Sequence, residues 1–338
     1  MKKIGIIVIM FFAIFQAFGQ TAEKYFQIGE SKQEKADYRG AISEYDKAIK
    51  LNPNYFFAYF GRGLSKYELQ DYRGAISDFD KAVKLSPNDA DSYYNRALSK
   101  YELQDYKGAI SDYDKAIILS PDDAASYYNR GLTKSKLQDY RDAILDYDKA
   151  IELNPDYVKA FYSRGLAKGG LKDYRSEMDD YNIVIELNPK FAEAFFYRGN
   201  AKAGGFQDYR GAIADYSKAI ELNTKYTIAY FFRGYIKSKL KDYIGALSDY
   251  EKGIELNPNY IGAYSYRGDA KYNLQDYRGA IADYTKEIEL NSKNTAAYLN
   301  RGSCKMYLKE KEGACLDWSK AGELGNADAY DLIKKYCN

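Results

Sequence analysis

The amino-acid sequence predicts an all-α solenoid of about nine stacked helical hairpins. The first observation is a period of 34 residues, which separates the prolines at 53, 87, 121, 155 and 189, with a sixth proline at 258. The second is that apolar and small side chains recur within each period at the three- and four-residue spacing of a helix face. Third, a helix pair this short cannot bury both of its apolar faces, so neighbouring pairs must stack into a continuous core.

The first element in the chain is a predicted secretory signal peptide over residues 1–19. Lys2 and Lys3 precede an apolar stretch at residues 4–15, and the small residues Ala17 and Gly19 favour cleavage after Gly19. An uncleaved anchor is the alternative, but this stretch is shorter than the roughly 20 residues that cross a bilayer as a helix. Residues 1–303 contain no cysteine, which excludes a lipid-modified N-terminal cysteine. We expect an exported protein, periplasmic or extracellular, without a lipid anchor or membrane insertion.

Charge and composition exclude several classes of function. The chain has 50 Lys plus Arg against 48 Asp plus Glu, and loss of Lys2 and Lys3 with the signal peptide would balance the two signs. Such a pattern provides no electrostatic footprint for nucleic acid or anionic lipid. The sequence has no histidine, which removes Ser-His-Asp and Cys-His nucleophile arrangements and histidine-ligated zinc. We therefore expect no enzyme activity, no metal and no cofactor.

The hairpins follow the signal peptide in a continuous register. Thr224 takes the proline position one residue late between Pro189 and Pro258, and Ser292 takes it after Pro258. The sixth unit therefore carries one inserted residue. The predicted units are 22–55, 56–89, 90–123, 124–157, 158–191, 192–226, 227–260, 261–294 and 295–328.

The second unit shows how one hairpin is built. Tyr59, Arg62 and Gly63 share one side of a first helix. A second helical period begins near Ala75 and ends before Pro87, because proline cannot continue a helix. The recurring positions are Tyr59-x2-Arg62-Gly63-x2-Lys66, Ala75-x3-Phe79-x2-Ala82 and Pro87.

These positions resemble the signature of the tetratricopeptide repeat family, over residues 22 to about 328. The resemblance implies a right-handed superhelix whose concave groove, lined by the first helices, binds peptides or partner proteins. Two departures recur along the chain. Arginine stands where the family usually has leucine, as at Arg62, and lysine stands where tyrosine is usual, as at Lys66.

The recurring arginines predict a structural ladder of ion pairs. Each is followed by an aspartate sixteen residues later, or seventeen after Arg198, where the insertion lies. Because the arginine shares a helix side with Tyr59 and Gly63, it is partly buried and needs a charged acceptor. The alternative is an arginine row for phosphate or carboxylate ligands, which internally satisfied pairs would disfavour. The predicted pairs are Arg62–Asp78, Arg96–Asp112, Arg130–Asp146, Arg164–Asp180, Arg198–Asp215, Arg233–Asp249, Arg267–Asp283 and Arg301–Asp317.

Aromatic and irregular positions in the middle of the array form the predicted partner-binding surface. In units five and six, Glu177 and Val184 replace alanines of the second helix, and glycine pairs occur at 169–170 and 204–205. We expect these glycines to shorten the first helices and open the surface beside them. Two alternatives stay open. In one, the first aromatic on the outer face of each first helix, such as Tyr128 or Tyr162, packs in the core. In the other, the irregularity in units five and six is a hinge. The predicted contact residues are Tyr128, Tyr162, Phe196, Tyr197, Phe231, Phe232 and Tyr235.

The last element is a predicted capping helix over residues 329–338, whose apolar side chains share one helix face. The three cysteines, at 304, 315 and 337, cannot fill a four-ligand zinc site without histidine. In an exported protein, a disulfide between Cys315 and Cys337 would fasten the cap, with Cys304 as a buried small hydrophobe.

We therefore expect an exported, non-enzymatic scaffold that holds a peptide or partner protein. One alternative is a carbohydrate-binding protein or a carboxylate-dependent enzyme, for which Glu177 with Asp179 or Asp180 is the candidate cluster. The other alternative is a purely structural spacer.

Overall fold

A computed structural model describes residues 21–337, and every regular element in that range is an α-helix. This confirms the all-α class for the described part of the chain. The first helices of the hairpins are α1 (21–34), α3 (Phe56–Glu68), α5 (Ala90–Glu102), α7 (Ala124–Lys136), α9 (Val158–Gly170), α11 (Ala192–Gly205), α13 (Thr227–Lys239), α15 (Ala263–Asn273) and α17 (Thr295–Tyr307). The second helices are α2 (Tyr38–Leu51), α4 (Tyr72–Leu85), α6 (Tyr106–Leu119), α8 (Tyr140–Leu153), α10 (Tyr174–Leu187), α12 (Tyr209–Leu222), α14 (Tyr243–Leu256), α16 (Tyr277–Leu290) and α18 (Lys311–Glu323), and α19 (Asp328–Tyr336) follows.

The helices belong to two compact parts of the chain. The N-terminal part ends at Leu171 and contains α1–α9, and the C-terminal part begins at Lys172 and contains α10–α19. Within each part, a helix packs against the helices next to it in sequence, and first helices also touch the first helix of the next hairpin. This nearest-neighbour packing is that of a helical solenoid.

The turn inside each described hairpin contains a residue in the left-handed conformation. After α3, the φ of Gln70 is 62°, and the Asp71 N–H donates to the Lys66 carbonyl at 2.9 Å. This bond closes a Schellman motif at the helix end. Asp71 then caps α4, because its Oδ1 accepts the Gly74 N–H at 3.0 Å. The residues with positive φ at these turns are Ala36, Gln70, Gln104, Gln138, Lys172, Gln207, Lys241, Gln275 and Lys309.

Each second helix contributes one large aromatic ring to the core, and in all of them except α10 the ring lies beside fully buried alanine. Burial of such a side chain stabilises the fold by about 1.5–3 kcal/mol. In the N-terminal part these rings are Tyr45, Phe79, Tyr113 and Tyr147, and in the C-terminal part they are Tyr181, Tyr216, Tyr250, Tyr284 and Trp318.

The predicted shortening of the first helices by the glycine pairs is wrong. α9 runs to Gly170 over 13 residues, the same length as α3, and α11 runs to Gly205 over 14 residues. One glycine of each pair instead makes room for a tyrosine. A Cβ atom at Gly170 would lie 2.8 Å from Tyr140 Cε2, and one at Gly205 would lie 2.5 Å from Tyr174 Cβ. The missing side chain lets the second helix of the preceding unit approach closely while the helix continues.

The largest backbone departure among the first helices lies in the eighth unit, which sequence analysis did not single out. α15 has only 11 residues and is preceded by Gly262, whose φ is 90°. The fully buried Glu287 accepts the Gly262 N–H at 3.1 Å on both carboxylate oxygens. The Asn294 amide also donates to Glu287, at 3.2 Å. Alanine occupies the position of Glu287 in most hairpins, so this carboxylate contact is specific to the eighth unit.

The chain end is fastened to the last hairpin. Cys315 and Cys337 form a disulfide with a Cα–Cα distance of 5.8 Å, and the Tyr336 ring lies 5.8 Å from Trp318. Cys304 is a free, fully buried thiol. The predicted signal peptide, at residues 1–19, lies outside the described residues. Within residues 21–337, none of the helices combines the length and apolar character of a membrane span.

Candidate functional site

Ion pairs connect the two helices of most hairpins. The guanidinium of Arg96 donates through Nε and Nη2 to the two carboxylate oxygens of Asp112, at 2.8 and 2.6 Å. Lys100 Nζ lies 2.7 Å from the same carboxylate. Asp112 is buried, and these cations compensate its charge. The described part of the chain contains the pairs Arg62–Asp78, Arg96–Asp112, Arg130–Asp146, Arg198–Asp215, Arg233–Asp249, Arg267–Asp283 and Arg301–Asp317. The pair Arg164–Asp180 stays a prediction.

Most of these arginines also reach back to the preceding hairpin. Arg96 Nη1 donates to Asp80 Oδ1 at 2.7 Å, and the guanidinium lies 5.4 Å from the centre of the Tyr93 ring. In the C-terminal part, neutral acceptors take the place of Asp80: Asn182, Ser217 and Thr285. The arginine donors are thus engaged within the protein, which disfavours an arginine row for phosphate or carboxylate ligands.

Two of the predicted contact residues lie in the N-terminal part. Tyr128, on α7, is half-buried, with its ring centre 5.0 Å from that of Tyr157 and 6.0 Å from that of Tyr147. Tyr162, on α9, is also half-buried. Each ring therefore keeps only part of its surface in contact with water.

In the C-terminal part, the leading aromatics belong to the core. Phe196 and Phe231 are 3% and 2% exposed, as the core-packing alternative expects. The Phe196 ring lies 5.2 Å from both Tyr226 and Phe232. Tyr197 is half-buried and packs edge to face on Phe196. Phe196 and Phe231 can therefore support a binding surface but offer little area to a partner.

Five aromatic rings surround a cavity of about 200 Å³ in the C-terminal part, which we call the aromatic pocket: Phe231, Phe232, Tyr235, Tyr260 and Tyr266. Phe231 stacks on Tyr260 at 4.4 Å, and Tyr235 meets Tyr266 edge to face at 6.0 Å. Phe232, Tyr235 and Tyr266 are 37%, 40% and 41% exposed. Clustered exposed rings of this kind are more typical of an interaction surface than of a core.

Polar groups flank the aromatic pocket. Tyr235 and Lys239 also line two adjoining cavities of about 370 and 210 Å³. Lys239 Nζ lies 5.3 Å from the centre of the Tyr235 ring. The smaller of the two cavities reaches Asp269, which accepts hydrogen bonds from Tyr284 at 2.6 Å and Asn300 at 3.1 Å. Burial raises the pKa of Asp269 above its usual value. A few polar groups around an apolar cavity are typical of a binding site.

Sequence analysis missed two residues of the aromatic pocket, Tyr260 and Tyr266. The period itself carries a signal for both. Tyr266 occupies the same unit position as Tyr197 and Phe232, and Tyr260 is the last residue of its unit, where Tyr226 also lies. The period by itself does not show that residues of consecutive units meet at one cavity.

The candidate carboxylate cluster lies on α10. Glu177 and Asp180 are buried, and Asp179 is exposed. Burial raises the pKa of Glu177 to about 7. No group of side chains suited to hold a metal ion occurs among residues 21–337.

Comparison with known proteins identifies the repeats. Tetratricopeptide repeat models match residues 34–70, 60–124, 124–157 and 228–260. A tetratricopeptide repeat protein from Parabacteroides merdae is 22% identical, with 74% of this chain and 99% of that chain covered and a TM-score of 0.54. The C-terminal part of a TPR repeat-containing protein from Cytophaga hutchinsonii is 21% identical, with 71% and 98% covered and a TM-score of 0.61. These structures share the fold. No functionally curated protein matches the sequence.

Proposed function

Because the chain is a tetratricopeptide repeat protein, with the fold of a protein-interaction scaffold, we propose that it binds a peptide or partner protein through the aromatic pocket. The observation that supports this most directly is the group of three exposed rings, Phe232, Tyr235 and Tyr266, around one cavity. Large aromatic side chains that desolvate on binding contribute much of the energy of protein interfaces.

The chemistry of the aromatic pocket favours an apolar or aromatic side chain as the anchor of the partner. Its volume of about 200 Å³ suits one such side chain rather than a whole domain. Asn200 and Lys239, at the adjoining cavity, offer polar contacts to the chain on either side of the anchor. The role is that of a non-enzymatic scaffold, which agrees with the lack of histidine.

The predicted signal peptide supports the proposal that this binding occurs outside the cytoplasm. A basic start, an apolar stretch and small residues near position 19 support export to the periplasm or beyond. Detection of the protein in the envelope or medium with an N-terminus near residue 20 would support this proposal, and an intact Met1 in the cytoplasm would contradict it.

The test compares two variants in partner capture from native envelope extract. Phe232→Ala with Tyr235→Ala removes two exposed rings of the aromatic pocket, and Phe206→Ala with Leu145→Ala removes exposed apolar side chains elsewhere. We expect the first variant to lose the captured partner, by at least about tenfold in affinity if the rings are hot spots. The second should retain it. Equal capture by the wild type and the first variant would contradict the proposal, and no captured partner at all would favour the structural spacer.

A further inference from the structure

A second cavity lies in the N-terminal part, between the first hairpin and α3. Its volume of about 490 Å³ falls within the range of about 300–1,000 Å³ common for ligand sites. The lining combines aromatic rings with carboxylates and contains no lysine or arginine. We call it the acidic pocket and define it by Phe26, Phe57, Phe60, Glu30, Glu34 and Glu68.

The apolar side of the acidic pocket is a group of aromatic rings. The Phe26 ring centre lies 6.0 Å from that of Phe57 and 5.7 Å from that of Tyr45. Phe57 is 56% exposed, so a large apolar surface at this pocket remains in water. Gly61 also lines the pocket, and a Cβ atom there would lie 2.8 Å from the Tyr45 ring. The equivalent residue of the next two units is asparagine, so the glycine opens this pocket.

The carboxylates of the acidic pocket are exposed and form no ion pair with any described lysine or arginine. Glu44 differs, because Lys32 and Lys47 each lie 2.8 Å from its oxygens. Glu30 stands where the next three units have leucine, so its charge is not part of the repeated packing. Partial burial and the charges of Glu23 and Glu34 raise the pKa of Glu30 above its usual value. The pocket thus carries negative charge that the protein itself does not compensate.

We propose that the acidic pocket binds lysine or arginine side chains of a partner polypeptide. The carboxylates attract the cationic group, and the ring faces attract it as well. The methylene stem of either side chain packs on the aromatic wall. An acidic partner would be repelled, and a purely apolar one would bury the carboxylates without a counter-charge. This site is separate from the aromatic pocket and does not depend on it.

The experiment measures fluorescence anisotropy of a labelled peptide of alternating lysine and leucine, and of the same peptide with glutamate in place of lysine. We expect the wild type to bind the lysine peptide and not the glutamate peptide. Glu30→Gln with Glu34→Gln should weaken lysine-peptide binding about three- to tenfold, which corresponds to two partly exposed ion pairs. Glu102→Gln with Glu186→Gln removes the same net charge at exposed sites outside the pocket and should leave binding unchanged.

Equal binding of both peptides, or equal affinity of the Glu30/Glu34 variant and the wild type, would overturn the proposal. Equal weakening by both glutamine variants would also overturn it, because general charge attraction would then explain the binding. The Phe232→Ala, Tyr235→Ala variant should keep its affinity for the lysine peptide. Failure of the aromatic pocket as a binding site can therefore be told apart from failure of this inference. Matching circular dichroism spectra and thermal midpoints of the variants show that the fold is kept.

Discussion

At the scale of one residue, Glu177 departs from the repeat, and its charged form lowers the free energy of unfolding. Glu177 takes a position held by alanine in the second helices before it, such as Ala75 and Ala109, and is 6% exposed. Burial disfavours its charged form and raises its pKa from the usual 4.5 to about 7. A group with a raised pKa in the folded state stabilises the fold fully below its unfolded pKa, and that contribution is lost as the pH rises through the folded pKa.

Replacement of Glu177 by alanine should therefore change the pH dependence of stability. Between about pH 4.5 and pH 7 the wild type loses stability because the carboxyl ionises in the unfolded chain before it ionises in the folded protein, and Glu177→Ala does not lose this stability. The gain of the variant over the wild type should be about 1–3 kcal/mol larger near pH 8 than near pH 4. Urea denaturation at both pH values measures this difference. Glu186→Ala, an exposed site on α10, is the control, and a gain that does not vary with pH would refute the prediction.

At the scale of one element, α19 depends on contacts at its two ends. Ala329 is fully buried near its start, and the Cys315–Cys337 disulfide holds its end to α18. A helix of nine residues is too short to be stable alone in water. The cap therefore keeps its structure through its attachment to the last hairpin.

Removal of the disulfide should loosen the cap. Cys315→Ala with Cys337→Ala should lower the free energy of unfolding of the last hairpin by about 2–4 kcal/mol. Thermal melts followed by circular dichroism, with and without reductant, measure this effect, and reductant should change the wild type but not the variant. Cys304 is buried and its pKa is raised to about 12, so it should stay unreactive until unfolding. Two reactive thiols in the unreduced native wild type would show that the disulfide is absent.

For the whole molecule, nearest-neighbour packing limits how far a local change extends. In the N-terminal part, α6 packs against α5 and α7 and not against more distant helices such as α2. Stability in such an array is close to a sum of hairpin terms and neighbour terms. Loss of one ion-pair group should therefore remain local.

Asp112→Ala tests this locality. The substitution leaves Arg96 and Lys100 without their buried acceptor, which should cost about 3–5 kcal/mol. Asp80→Ala removes the exposed acceptor of the same arginine and should cost at most about 1 kcal/mol. Hydrogen exchange should become faster in α5–α7 of the Asp112 variant and stay unchanged in α16–α18. Uniform acceleration along the chain would show that the array unfolds as one unit.

Features that repeat or that depend on neighbours in sequence could be predicted without coordinates. The period, the helical hairpins and the register of arginine to aspartate all follow from spacing, because a contact within one hairpin is made again in the next. This is why Arg96 and Asp112 could be matched from their separation of sixteen residues.

The tertiary structure alone decided which irregular residues are buried and which are exposed. Phe231 and Phe232 are adjacent and chemically alike, but the first is buried, with its ring stacked on Tyr250 and Tyr260, and the second stays at the surface. Neither the closely approached Gly205 nor the contact of Glu287 with Gly262 could be read from spacing. The physical reason is that burial depends on side chains about one unit or more away in sequence, and their volumes differ where the repeat is broken.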